Sequence, residues 1–92
     1  MKESTNFMKK LELLREEINK IDDQMIDLLN KRGKLSKKIG KLKNVISMDT
    51  LQPQREDEII NRMKAKSKVL DDTSIKAIWK EIMDACKIIQ EI

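Results

Sequence analysis

Histidine is missing from the 92 residues altogether. Its absence removes Ser-His and Cys-His nucleophilic pairs and the commonest zinc ligand. A lone cysteine, Cys86, leaves no disulfide to form within the chain, which fits a reducing compartment. Gly33 and Gly40 each stand alone, so no glycine-rich phosphate loop is available. With Pro53 the single proline, and Phe7 and Trp79 the only aromatics, turns and pleated faces lack their usual residues. That argues against an all-β sandwich or barrel. No apolar run approaches the ~20 residues of a membrane span. The first ten residues hold no apolar stretch of the secretory kind. The expected location is therefore cytoplasmic, with no membrane partner.

Charge is what the chain has in abundance. Twenty Lys and Arg stand against 16 Asp and Glu, a net charge of +4, and the charged fraction equals the hydrophobic fraction at 39%. The length predicts one domain over residues 1–92. Its core would be thin, because chains this short bury a modest share of their surface.

Leu11, Leu14, Ile18, Ile21, Met25, Leu28, Arg32, Leu35, Ile39 and Leu42 follow one another at alternating spacings of 3 and 4. This is a heptad seam, apolar everywhere except at Arg32. It predicts a helix over residues 7–44, capped at Ser4, Thr5 or Asn6. Residues 44–54 read as a loop. A second helix starts at Pro53 or Gln54, carries Ile59, Ile60 and Met63, and ends near Ser67. Asp71, Asp72 and Thr73 offer caps for a third. Its stripe is Ile75, Ile78, Trp79, Ile82 or Met83, Cys86 and Ile89. The fold class is all-α.

Some 38 helical residues span roughly 57 Å, whereas a compact domain of this size has a radius of gyration of about 12 Å. Two short helices cannot cover a seam of that reach. The expected remedy is a second copy packed along it as a symmetric homodimer. The alternative is a monomeric hairpin broken near Gly33.

A guanidinium in an apolar seam is costly unless paired. Arg32 therefore marks either a structural ion pair or an anion site. It lies in the acid-free run Lys31, Arg32, Lys34, Lys37, Lys38, Lys41 and Lys43, most of which reads as a solvated face. Lys43 differs, because 11 residues is about three helical turns, which brings Arg32, Ser36 and Lys43 onto one face. Arg55 and Glu56 extend the apolar stripe of the second helix by one turn. Cys86 and Gln90 extend that of the third; taken singly, Cys86 is a small core residue and Gln90 a polar terminus. Together, Arg32, Lys43, Arg55, Glu56, Cys86 and Gln90 put polar groups on the inward faces of all three helices. That is how helical bundles build ligand pockets. A basic face also raises the possibility of nucleic acid, but the interleaved aromatics of a single-strand binder are missing, and none is expected as a partner.

Over residues 11–90 the sequence resembles the all-helical chorismate mutase family. The likeness is carried by LELLREEINKIDDQMIDLLNKRGKLSKKIGKLK, with Arg15, Arg32 and Gly-Lys-x-Lys ending at Lys43, by QREDEIINRM, and by IWKEIMDACKIIQ. The resemblance implies an intertwined dimer of three-helix chains that rearranges chorismate to prephenate, on the shikimate route to phenylalanine and tyrosine. It implies that Arg15, reaching in from the partner chain, binds one carboxylate and Arg32 the other. Lys43 and Gln90 would donate to the ether oxygen. Glu56 would hold the ring hydroxyl, with the backbone of Gln52 nearby. Arg55 would line the pocket and Cys86 would stand near the ring carboxylate. Gln52 stands where relatives often carry Asp, and Cys86 where Ser is common. Geometry agrees about Arg15: it is 17 residues from Arg32, roughly 26 Å along one helix. No small metabolite spans that distance within one chain.

Such a rearrangement is pericyclic, needs no obligatory proton transfer, and calls for no metal or organic cofactor. The alternatives are a relative of the same fold that splits isochorismate to salicylate and pyruvate, and a non-catalytic basic helical dimerisation module. The latter leaves Arg32 in the seam unexplained.

Overall fold

The computed structural model describes residues 2–91. They form three helices: α1 (Lys2–Val45), α2 (Pro53–Lys66) and α3 (Asp72–Glu91). No strand occurs among the described residues, and none of the helices is long and apolar enough to cross a membrane.

Helix α1 begins earlier than the expected residue 7 and runs unbroken through Gly33 and Gly40. Ser4, Thr5 and Asn6 lie inside it rather than capping it. Their helix propensities fall only some tenths of a kcal/mol below alanine, and no proline precedes Pro53 to halt the run. At its other end the helix closes with a Schellman turn. The Met48 amide donates to the Lys43 carbonyl at 2.8 Å and the Ser47 amide to the Asn44 carbonyl at 3.3 Å. Ser47 takes the left-handed conformation this turn demands, with φ of 55°.

Pro53 occupies the first turn of α2, where its missing N–H costs nothing. Gln52 caps α2 without a side-chain hydrogen bond; its Nε2 donates instead to the Asp49 carbonyl at 2.9 Å. Helix α3 is capped by Asp71, whose Oδ1 accepts from the Ser74 amide at 2.7 Å. That bond holds the Asp71 carboxyl below its ordinary value.

By their contacts the residues fall into two units, one up to Lys31 and one from Arg32 onward. The first is a stretch of helix. The second holds the end of α1, all of α2 and all of α3. Its core is Ile59, Ile60 and Met83, with Met63 and Trp79 packed against them; Ile75 and Cys86 are also buried. On α3 the buried line thus runs through Met83 rather than Ile82, and Ile78, expected in the stripe, is exposed. A step of one residue turns a helix by about 100°, so Ile78 falls to the flank of the face that carries Trp79 and Met83.

Candidate active site

Three short pieces of chain meet around a cavity of about 410 Å³ in the second unit. This lies within the range of small-molecule sites. The end of α1 contributes Arg32, Ser36 and Lys43, the three residues that helical spacing put in line. The approach to α2 and its first turn contribute Thr50, Gln52, Arg55 and Glu56, and the last turns of α3 contribute Cys86, Lys87 and Gln90. Leu35, Ile39, Ile59 and Met83 supply apolar wall.

The centre of the polar set is Lys43. Its Nζ donates to Gln90 Oε1 at 2.9 Å and to the Thr50 carbonyl at 3.1 Å. A lysine ammonium has no acceptor, so it must face the amide oxygen, which leaves the two N–H donors on the other end of the Gln90 side chain. Both partners are neutral, and Lys43 makes no ion pair among the described residues. Its charge is oriented but not neutralised.

Gly40 sets the approach of α3 to this lysine. An ideal Cβ at Gly40 would lie 2.7 Å from both the Cα and the carbonyl oxygen of Gln90. Only a residue without Cβ lets the backbones come so close. Gly33 is also buried, but its Cβ would meet only Cδ1 of Ile89, at 3.2 Å.

Arg32 is half-buried and forms no ion pair among the described residues, so no carboxylate of its own chain accounts for its seam position. Arg55 is exposed, with its guanidinium 3.9 Å from the Glu58 carboxylate. Glu56 is the single carboxylate in the cavity lining among the described residues. It accepts from Lys87 Nζ at 3.2 and 3.5 Å, and Lys87 also lies 3.0 Å from Asp84. Hydrogen bonds to Asp84 and then to Glu56 raise the Lys87 ammonium above its ordinary value.

Of the residues singled out from the sequence, Arg32, Lys43, Gln52, Arg55, Glu56, Cys86 and Gln90 all line the cavity. Arg15 is not among the lining residues; it is exposed, 3.9 Å from Glu12. Lys87 and the Thr50 carbonyl escaped the sequence reading. Lys87 had a signal, since it stands one turn before Gln90 and one turn after Met83, on the face they share. The basic side chains Lys31, Lys34, Lys37, Lys38 and Lys41 are exposed, as expected of a solvated face. No cluster of three metal-ligating side chains occurs among the described residues.

What this arrangement can do is hold a dianion: Arg32 and Lys43, with no ion pair among the described residues, face a cavity in which Glu56 is paired with Lys87. Residues 14–91 match the family described as chorismate mutase type II. The chain is similar to a bifunctional chorismate mutase/prephenate dehydratase of Aquifex aeolicus, 36% identical over 84 residues; it spans 86% of this chain and 23% of the relative's length. Among solved structures it resembles chorismate mutase from Thermus thermophilus (form II), with TM-score 0.86, 28% identity, and coverage of 89% of this chain and 94% of that one. A conserved hypothetical protein from Pyrococcus furiosus superposes with TM-score 0.75 at 33% identity, covering 88% of this chain and 95% of that one.

Proposed function

The chain belongs to the chorismate mutase type II family, and from this membership and the cavity we propose that it is an isomerase that rearranges chorismate to prephenate in aromatic amino acid biosynthesis. The observation that carries the reading is Lys43: a charged donor, fixed by Gln90 and the Thr50 carbonyl, in a cavity that also holds an unpaired arginine.

The reaction breaks the ether C–O bond of chorismate while a C–C bond forms, through a chair-like transition state. The protein must fold a flexible dicarboxylate into that shape and stabilise the negative charge that grows on the ether oxygen. Arg32 binds one carboxylate. Lys43 and the free N–H of Gln90 donate to the ether oxygen. Because the charge there is larger in the transition state than in the substrate, these donors act on kcat rather than on binding alone. Gln90 carries no titrating proton, so its donation is independent of pH. Glu56 accepts from the ring hydroxyl, with Gln52 beside it, while Arg55 and Cys86 complete the substrate contacts. The apolar wall limits the conformers the ring side can adopt.

Arg15 reaches the pocket of a second copy, and the working unit is a homodimer built from this single domain. Two observations support it. Leu11, Leu14, Ile18, Ile21, Met25, Leu28, Leu35, Ile39 and Leu42 are 41–67% exposed on one chain, more apolar surface than a lone domain usually leaves in water. No large side chain among the described residues is fully buried. A cytoplasmic setting accords with the free thiol of Cys86.

The test follows loss of chorismate absorbance with identification of the product, in parallel with isochorismate. Prephenate from chorismate is expected; salicylate from isochorismate without prephenate from chorismate would overturn the assignment. Lys43→Ala should lower kcat by about 10²–10³, with helix content by circular dichroism unchanged. A mutant with ordinary kcat would remove Lys43 from the chemistry.

A further inference from the structure

Glu56 presents a problem of charge. A carboxylate in the wall of a pocket for a dianion carries a cost beside the hydrogen bond it can accept: like charges brought together out of bulk water repel by amounts that weaken binding severalfold or more. Yet Glu56 lines the cavity and is half-buried. What answers it is Lys87. Its Nζ reaches both oxygens of Glu56, at 3.2 and 3.5 Å, across from α3 to α2. It is anchored from behind by Asp84 on its own helix at 3.0 Å. Asp84 is not part of the cavity lining, whereas Lys87 is.

Resting on the assignment of Glu56 to the substrate hydroxyl, we propose that Lys87 is a positioning residue: it offsets the Glu56 charge toward an incoming dicarboxylate and fixes that carboxylate as a hydrogen-bond acceptor, without touching substrate itself. The two cavity lysines are thereby divided in role. Lys43 is held by neutral oxygens and keeps its charge for the ligand. Lys87 is held by two carboxylates and has its charge spent on them. The same two carboxylates stabilise its ammonium, so Lys87 stays protonated throughout the neutral range. Asp84 matters because it ties the ammonium to α3. Without that tie a flexible lysine stem would be free to swing toward the substrate.

A charge-offsetting role makes a demand that a merely structural ion pair does not. Glu56 meets substrate alike in the ground and transition states, so unmasking it weakens binding uniformly and acts on KM, not on kcat. Lys87→Met is expected to raise KM for chorismate by about tenfold or more and to leave kcat within about twofold. Lys87→Arg keeps the charge and should restore KM to within about threefold. The decisive comparison is made in the background of Glu56→Gln, which has no charge to offset: there Lys87→Met should raise KM far less, because the carboxylate it leaves unpaired, Asp84, is more exposed and lies outside the lining.

The wild-type protein is assayed alongside. If it fails to turn over chorismate, the functional assignment falls and this role with it. If it is active and Lys87→Met keeps an ordinary KM, the role of Lys87 alone is refuted. A rise in KM of the same size with and without Glu56→Gln would mean that Lys87 acts on binding by a route other than Glu56, which also overturns the proposal. Should Lys87→Met fail to fold by circular dichroism, Lys87→Gln, which keeps a donor without the charge, carries the same comparison.

Discussion

Replacing Gly40 by alanine sets two effects against each other, and the geometry decides between them. Alanine is favoured over glycine in a helix interior by about 0.8–1.0 kcal/mol. Against this, the new Cβ would lie 2.7 Å from the Cα and from the carbonyl oxygen of Gln90, and 2.9 Å from its Cβ. Carbon atoms pack at about 3.5–4.0 Å, so roughly 1 Å of separation must be found. The obstructing atoms are mostly backbone, and the end of α3 has to move as a piece. Overpacking of this kind costs about 1–3 kcal/mol, so the net effect runs from neutral to destabilising by about 2 kcal/mol. The functional effect is larger. Gln90 Oε1 sits 2.9 Å from Lys43 Nζ, and a shift of about 1 Å breaks that bond. A misplacement of about 1 Å in a catalytic arrangement costs about 10²-fold in rate.

Gly33→Ala is the matched control. Its Cβ would meet only Cδ1 of Ile89 at 3.2 Å, the tip of a flexible side chain that yields by a few tenths of an ångström. Here propensity wins. We expect a gain of about 0.5–1 kcal/mol, seen as several degrees in Tm, with kcat within about twofold of wild type. The assays are thermal melts by circular dichroism at one fixed protein concentration, since association shifts Tm, and initial rates on chorismate. Gly40→Ala matching Gly33→Ala in both Tm and rate would refute the claim that a missing Cβ positions Gln90.

Three other outcomes are expected. Mixing Arg15→Ala chains with Lys43→Ala chains should recover about a quarter of wild-type activity from two inactive parents, because one site of each heterodimer regains both residues; no recovery after confirmed chain exchange would refute a shared site. Ser47→Gly relieves a left-handed serine and should raise stability by up to about 1 kcal/mol in a denaturant melt, whereas a loss would mean that the Schellman turn is not strained there. Asp71→Ala should lower Tm at neutral pH. The Asp71 carboxyl is held below its ordinary value by the Ser74 amide, so its contribution is present above the ordinary carboxylate range and is lost as pH falls through the folded value; a Tm difference that persists unchanged in acid would contradict that cap.

The helices were readable because their causes are local. The 3,4 spacing from Leu11 to Leu42, Pro53 at a first turn, and the Asp71 cap each act within a few residues. Rigid helical geometry carried the reading one step further: Arg32, Ser36 and Lys43 share a face at any tertiary arrangement, because 3.6 residues per turn places them there. The inward polar residues of α2 and α3 were legible for the same reason. In the fold they line one cavity.

What local rules do not contain is how one helix crosses another. Lys87 reaches Glu56 from 31 positions away, and Gly40 touches Gln90 from 50 away. These depend on the depth and angle at which α3 lies against its neighbours. The sequence by itself determined an all-helical chain with a cationic face and the family to which it belongs, because periodicity, caps and ordered motifs are properties of neighbours along the chain. Only the tertiary structure decided which cation is left unpaired and which is consumed: Lys43 met neutral oxygens and Lys87 met carboxylates, and a charge is available to a ligand only where the fold brings no opposite charge against it.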